Sequence, residues 1–259
     1  MDHRRALRFQ RIANFRDLGG YPATGGHVTR WGLLYRSGHL GNATARDLDR
    51  LGSLGISTVI DFRTARERSD RPNRLPADIP EVVELPVLDS GKTSLVEEMH
   101  TRVANNDFEG FDPFARMTLT YQRFATDYAD AYGEFARAVL AADGRPLLWL
   151  CAAGKDRTGF AAAVLLRLLG AGEEVAIHDY LLSARYIHRR RGLVMLLRLA
   201  KGGRIAAGVR GLMGVHREWI TAALRAIDTT WGSFEAYARD GLKLSRGDID
   251  QLRGTLTEG

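Results

Sequence analysis

The block from Leu147 to Gly170 constrains this chain more than any other. Leu147, Leu148, Trp149 and Leu150 are apolar without alternation, the pattern of a strand covered on both faces. Cys151-Ala-Ala-Gly-Lys-Asp-Arg157 follows, and then at once Thr158 to Leu169, nearly all apolar and closed by Gly170. A helix that is apolar all round belongs inside a core, so this strand, loop and helix should form the centre of the molecule. Other elements are readable around it. Asn42 to Gly52 predicts a helix, capped by Asn42 or Thr44, with Leu48 and Leu51 on one face. Ile56-Ser-Thr-Val-Ile60 and Glu81 to Val87 have the length and composition of strands. Met117 to Leu140 carries apolar residues at helical spacing, and Asp143-Gly-Arg-Pro146 is turn chemistry. Strands alternating with helices predict an α/β fold: a central, mainly parallel sheet flanked by helices. Ligands of such sheets sit beyond the carboxyl ends of the strands, which is where Cys151 falls.

The 259 residues suffice for one sizeable core. With no repeat or low-complexity linker, they predict a single domain over 1–259. No apolar run approaches the ~18 residues a membrane span needs. Met1-Asp-His-Arg-Arg5 leads into no signal-type apolar stretch, so the expected compartment is the cytoplasm, with signal-independent export left open. The one cysteine excludes an intramolecular disulfide and a cysteine metal cluster. The seven histidines show no ligand spacing, and no metal or organic cofactor is expected. The net charge of +6 suits an anionic partner. Part of the excess lies in Arg185 to Arg204, which holds Arg189, Arg190, Arg191, Arg198 and Lys201 and no acidic residue. Interleaved aromatics and nucleic-acid motifs are missing, so a nucleic-acid partner is not expected.

The loop itself carries chemistry. Ala152, Ala153 and Gly154 are small, so their amides can approach a ligand closely, and a helix N-terminus lies behind them. The same field favours a thiolate at Cys151. Arg157 offers a planar fork for two phosphate oxygens. Nucleophile, oxyanion donors and bidentate clamp are the parts of a phosphoryl transfer.

Cys-x5-Arg followed by Thr158-Gly159 resembles the active-site loop of the protein tyrosine phosphatase superfamily. The fuller string Ala153-Gly-Lys-Asp-Arg-Thr-Gly159 is similar to the atypical bacterial tyrosine/serine phosphatases, the group that includes the mycobacterial secreted phosphatase B. Asn14 to Tyr21, Leu34 to Leu40, Gly55 to Arg63, and Gly232 to Leu242 resemble further segments of that group, so the likeness spans most of residues 12–253.

The resemblance implies roles. Cys151 attacks phosphorus and forms a phosphocysteine. Arg157 binds the phosphate, with the loop residues Ala152, Ala153 and Gly154. Asp156 protonates the leaving oxygen and later activates water. Lys155 adds charge at the pocket mouth, which in this family favours phosphoinositide head groups. Thr158 hydrogen-bonds the thiolate. The expected substrate is a phosphorylated protein, tyrosine first and with dual specificity open, or a phosphoinositide, and inorganic phosphate is the product. A helical lid is implied over residues 186–215, whose basic amphipathic pattern also fits a surface helix or contact with anionic lipid. The pattern breaks at Leu150, where the family has histidine. That break motivates a competing reading, a phosphate-binding pseudophosphatase. Asp89 is the rival acid. Asn14, Arg16, Asp17, Arg36, Ser37, Asp61 and Arg63 read as loop-ordering or structural residues near the site.

Overall fold

The computed structural model describes residues 2–77, 79, 81–87, 101–102, 104–105, 107, 111–186 and 211–259. Asp89, the basic stretch beyond Tyr186 and most of the expected lid lie outside them.

Five strands form the main sheet: β1 (Arg16–Asp17), β3 (Leu34–Gly38), β4 (Thr58–Asp61), β5 (Glu81–Glu84) and β6 (Leu147–Cys151), in the order β1-β3-β6-β4-β5. β3, β6, β4 and β5 run parallel, and only β1 is antiparallel, on β3. β2 (Val28–Thr29) and β7 (Thr257–Glu258) make a separate antiparallel pair. β6 is the central strand, as its unalternating apolar sequence requires. Leu147, Trp149 and Cys151 join a large layer with residues of the helices Pro113–Ala125, Ala129–Ala141, Asp156–Leu168, Glu173–Tyr186 and Arg217–Trp231. Leu148 and Leu150 face the opposite layer, with Phe15, Leu40 and Leu51. The period-2 geometry of a strand thus serves two cores at once.

The expected helix after Asn42 is Ala45–Gly52, and its cap is Thr44, whose hydroxyl accepts from the Asp47 amide in a capping box. The run read as one helix from Met117 to Leu140 is two, Pro113–Ala125 and Ala129–Ala141. Its apolar spacing continues across the break because both helices bury a face in the same core, so periodicity alone could not reveal the corner. The strand expected at Ile56–Ile60 is Thr58–Asp61, and the one expected at Glu81–Val87 is shorter. β5 stops at Glu84, four residues pairing with β4 Thr58–Asp61.

The helix Asp156–Leu168 is buried along nearly its whole length. Leu169 caps it, and Gly170 follows at φ 89°, the left-handed closure that glycine permits. This helix and β6 carry the loop between them, and the other layers fix its surroundings.

Candidate active site

β6 ends at Cys151, which is 2% exposed and stands in register with Gly38 at the end of β3. The chain must then turn sharply into the helix at Asp156. Gly154 makes the turn at φ +66°, and a Cβ there would lie 2.4 Å from the Ser37 carbonyl and 2.5 Å from the Gly38 nitrogen. Only glycine meets both demands.

The Gly154 carbonyl is tied outward. It accepts from Asn14 Nδ2 at 2.6 Å and from Arg36 Nη2 at 2.8 Å. Arg36 and Arg16 in turn share one buried carboxylate: Arg16 Nε donates to Asp179 Oδ1 at 2.9 Å, and Arg36 Nη1 donates to Asp179 Oδ2. Tyr21 Oη donates to Asp179 Oδ1 at 3.0 Å, and Arg16 Nη1 also donates to Asn14 Oδ1 at 2.6 Å. The N-terminal motif is therefore the outer brace of the loop. Burial, then the neighbouring charge of Arg16, lowers Arg36 to about 10 against the pull of Asp179. Among the described residues, no loop or side-chain acceptor meets the amides of Ala152, Ala153, Gly154 or Lys155. With the carbonyl held outside and a helix N-terminus behind, this is the geometry of an anion cradle.

Arg157 is held from the other side. Its Nη1 donates to Glu67 Oε2 at 2.6 Å and its Nη2 to Glu67 Oε1 at 2.7 Å, while Nη1 also reaches the Phe62 carbonyl at 3.2 Å. Glu67 is placed by its own helix, Ala65–Asp70, where it completes the capping box of Thr64. Burial raises the Glu67 carboxyl, but the hydrogen bonds and charge of Arg157 outweigh it and hold the group at about 2. Arg157 is raised above the ordinary guanidinium range: burial opposes its charge, and the Glu67 bond and the Cys151 charge overcome that. This two-point grip fixes the plane of the fork. Glu67→Gln is expected to lower kcat/KM on an aryl phosphate by about 10- to 100-fold by letting the fork drift. The stabilisation carried by ionised Glu67 is complete above its ordinary value of 4.5 and is lost as pH falls through about 2. Acid unfolding of the variant should therefore lack that component; an unchanged acid limb together with unchanged kcat/KM would refute the role.

Asp156 opens the helix with its side chain 25% exposed. Its Oδ1 accepts from Tyr121 Oη at 2.6 Å. Lys155 pairs with the same oxygen at 3.3 Å. The Lys155 ammonium, expected at the pocket mouth, is buried instead. It donates to the carbonyls of Leu212 at 2.9 Å and Gly214 at 2.8 Å and lies over the Trp219 ring. Thr158 is fully buried, and its Oγ1 has no hydrogen-bond partner among the described residues. Its carbonyl accepts from Trp149 Nε1 at 3.1 Å.

The strand-end residues are structural neighbours of the site. Asp61 binds the Arg63 guanidinium at 2.7 Å and accepts from Asn73 at 2.9 Å. Asp17 accepts from the amides of Gly19 and Gly32, both at 2.7 Å. Leu150 is buried in the smaller apolar layer, on the face of β6 opposite Cys151. Sequence reasoning missed Glu67, Asp179 and Tyr121. Glu67 was detectable only as the fourth member of Thr64-x-x-Glu67. Asp179 stood out only as an acid on the buried face of Glu173–Tyr186, beside Ala176, Tyr180 and Ser183. Nothing local marks Tyr121.

A strand-ending thiol, a loop with free-facing amides and an arginine clamped by Glu67 make an arrangement that can hold a phosphate ester. The chain belongs to the tyrosine phosphatase family, whose model matches residues 7–258, and it is a protein tyrosine phosphatase. It is 37% identical to a predicted tyrosine-protein phosphatase of Cupriavidus necator, over 99% of this chain and 90% of the relative. It is 31% identical to the triple specificity protein phosphatase PtpB of Mycobacterium tuberculosis, over 94% of this chain and 96% of that protein. The crystal structure of Pseudomonas aeruginosa TpbA is 20% identical, with 76% of this chain and 90% of that one covered, at a TM-score of 0.34, too low to carry an argument. Among the described residues no helix is long and apolar enough to cross a membrane, and no group of acidic, histidine and cysteine residues is arranged to hold a metal ion.

Proposed function

We propose that this phosphatase hydrolyses phosphotyrosine in proteins through a phosphocysteine intermediate. In the first step the Cys151 thiolate attacks phosphorus and the S–P bond forms. The P–O bond to the tyrosine breaks, and Asp156 gives its proton to the departing oxygen. In the second step water attacks phosphorus, Asp156 takes a proton from it, and Cys151 leaves as thiolate, accepting a hydrogen bond from Thr158. Inorganic phosphate is released. Arg157 and the amides of Ala152, Ala153, Gly154 and Lys155 hold the equatorial oxygens throughout, where charge spreads in the transition state.

The observation that carries this reading is the opposed bracing of the loop. The Gly154 carbonyl is drawn outward by Asn14 and Arg36, while Glu67 aligns the Arg157 fork. A phosphate-binding protein without turnover needs the cradle, but it has no use for a carboxyl at the loop's exit. The engagement of the Lys155 ammonium with Leu212, Gly214 and Asp156 favours a protein substrate over a phosphoinositide, because that charge is already partnered. PtpB carries triple specificity in its name, which makes substrate breadth the property to measure.

The test is phosphate release from a phosphotyrosine peptide, a phosphoserine peptide and short-chain phosphoinositides at matched concentrations. Turnover of the phosphotyrosine peptide is expected to lead. A lead for the lipids would overturn the substrate assignment, and binding without release on all three would restore the pseudophosphatase reading. Rapid denaturation during turnover should trap phosphate on Cys151 as an alkali-stable, acid-labile S-phosphocysteine only if the covalent route is right.

A further inference from the structure

Among the described residues, Asp156 is held through one oxygen. Tyr121 Oη at 2.6 Å and Lys155 Nζ at 3.3 Å both meet Oδ1. Among the described residues, Oδ2 has no such partner. Tyr121 is itself backed by Tyr180, the two hydroxyls lying 2.9 Å apart. A hydroxyl carries one proton. Asp156 Oδ1 can only accept, so it takes the single proton of Tyr121, and across the 2.9 Å contact Tyr180 is then the donor to Tyr121. The two bonds point one way and end on the carboxyl.

The two tyrosines come from different helices, Pro113–Ala125 and Glu173–Tyr186, and both are fully buried. Their rings meet edge to face at 5.8 Å, and Tyr121 also packs on Phe124 and Trp219. The hydroxyls are therefore fixed by packed rings. Burial, followed by the charge of Asp156 and the nearby Tyr180, pushes the Tyr121 phenol well above its ordinary range, so it stays a donor at any working pH.

We propose that Tyr121, supported by Tyr180, is the positioning residue that turns Asp156 so that Oδ2 is the oxygen that gives and takes the proton. The inference rests on the reading of Asp156 as the general acid. The proton on Oδ2 passes to the ester oxygen as its bond to phosphorus breaks, and Oδ1 keeps its bond to Tyr121 through both steps. Tyr121→Phe removes that bond without removing the ring.

An acid matters most when the leaving group is a poor one. In Tyr121→Phe, kcat/KM for phenyl phosphate, which reports the step in which the ester oxygen leaves, is expected to fall about ten-fold, while kcat/KM for 4-nitrophenyl phosphate, whose leaving group needs little protonation, stays within about two-fold. Tyr180→Phe should show the same selectivity with a smaller loss, and it serves as the second variant if Tyr121→Phe melts too early to assay.

Asp156→Asn separates the two levels of the argument. Leaving-group-selective loss in Asp156→Asn but not in either tyrosine variant would overturn the positioning role alone. An Asp156→Asn variant without such selectivity would overturn the acid assignment beneath it. Equal losses on both esters in Tyr121→Phe would mean that the hydroxyl serves the fold and not the proton.

Discussion

Replacing Cys151 by serine is expected to abolish turnover, lowering kcat on aryl phosphates by about ten thousand-fold or more, while affinity for a phosphotyrosine peptide is kept. The change removes one property. A thiol is by its own chemistry a far better nucleophile than a hydroxyl at the same place. Binding rests on other atoms. The cradle amides belong to the backbone, and Arg157 is aligned by Glu67 at 2.6 and 2.7 Å, so none of them depends on sulfur. Cys151 is 2% exposed and oxygen is smaller than sulfur, so the fold should tolerate the swap. Stopped assays of phosphate release give the first quantity and calorimetric titration with the peptide gives the second. Residual turnover within about ten-fold of the parent would mean that another group attacks phosphorus.

The largest effect on stability is expected at Asp179. Its carboxylate is wholly buried and neutralises two wholly buried guanidiniums, Arg16 at 2.9 Å and Arg36. Burial works against its charge, but Arg16 and Arg36 more than compensate and keep the carboxyl well below the ordinary carboxylate range. Its stabilisation is therefore present above the pKa of an unfolded aspartate and is lost only as pH falls below that range. Asp179→Ala leaves both cations without a partner in the core. Breaking a buried pair typically costs about 3–5 kcal/mol, and here two pairs share the one carboxylate. Against a total stability of about 5–15 kcal/mol, the variant should melt about 10 °C or more below the parent. It should also lose activity while still folded, because Arg36 holds the Gly154 carbonyl at 2.8 Å. Melting within about 2 °C of the parent would show that the cluster is not the brace described above. Asp179→Asn, which keeps an acceptor, should fall between the two.

These expectations draw on different levels of information. The centre of the molecule was legible in the chain. Four apolar residues ending at Cys151, a small-residue loop and an apolar helix can be arranged in few ways, because each has to bury what it carries. β6 as the middle strand, with the loop at its carboxyl end, followed from local composition, and the loop motif pointed to the family that the comparisons then established. Where the apolar pattern is continuous but the chain turns, as between Ala125 and Ala129, periodicity gave the wrong length.

The supports of the loop were decided by tertiary structure. Glu67 is 90 residues from Arg157, Asp179 is 163 from Arg16, and Tyr121 is 35 from Asp156. No spacing rule links such pairs, since a charge-assisted hydrogen bond depends on where a side chain ends in space and not on how far along the chain it started. The direction of Lys155 was settled in the same way. The family resemblance implied a charge at the pocket mouth, whereas the ammonium meets the carbonyls of Leu212 and Gly214, because a buried ammonium must find acceptors close by. The sequence by itself determined the residue types of the loop, a combination suited to holding a phosphate. Which side chains hold that loop in working order was decided only by the packing of distant helices and strands around it.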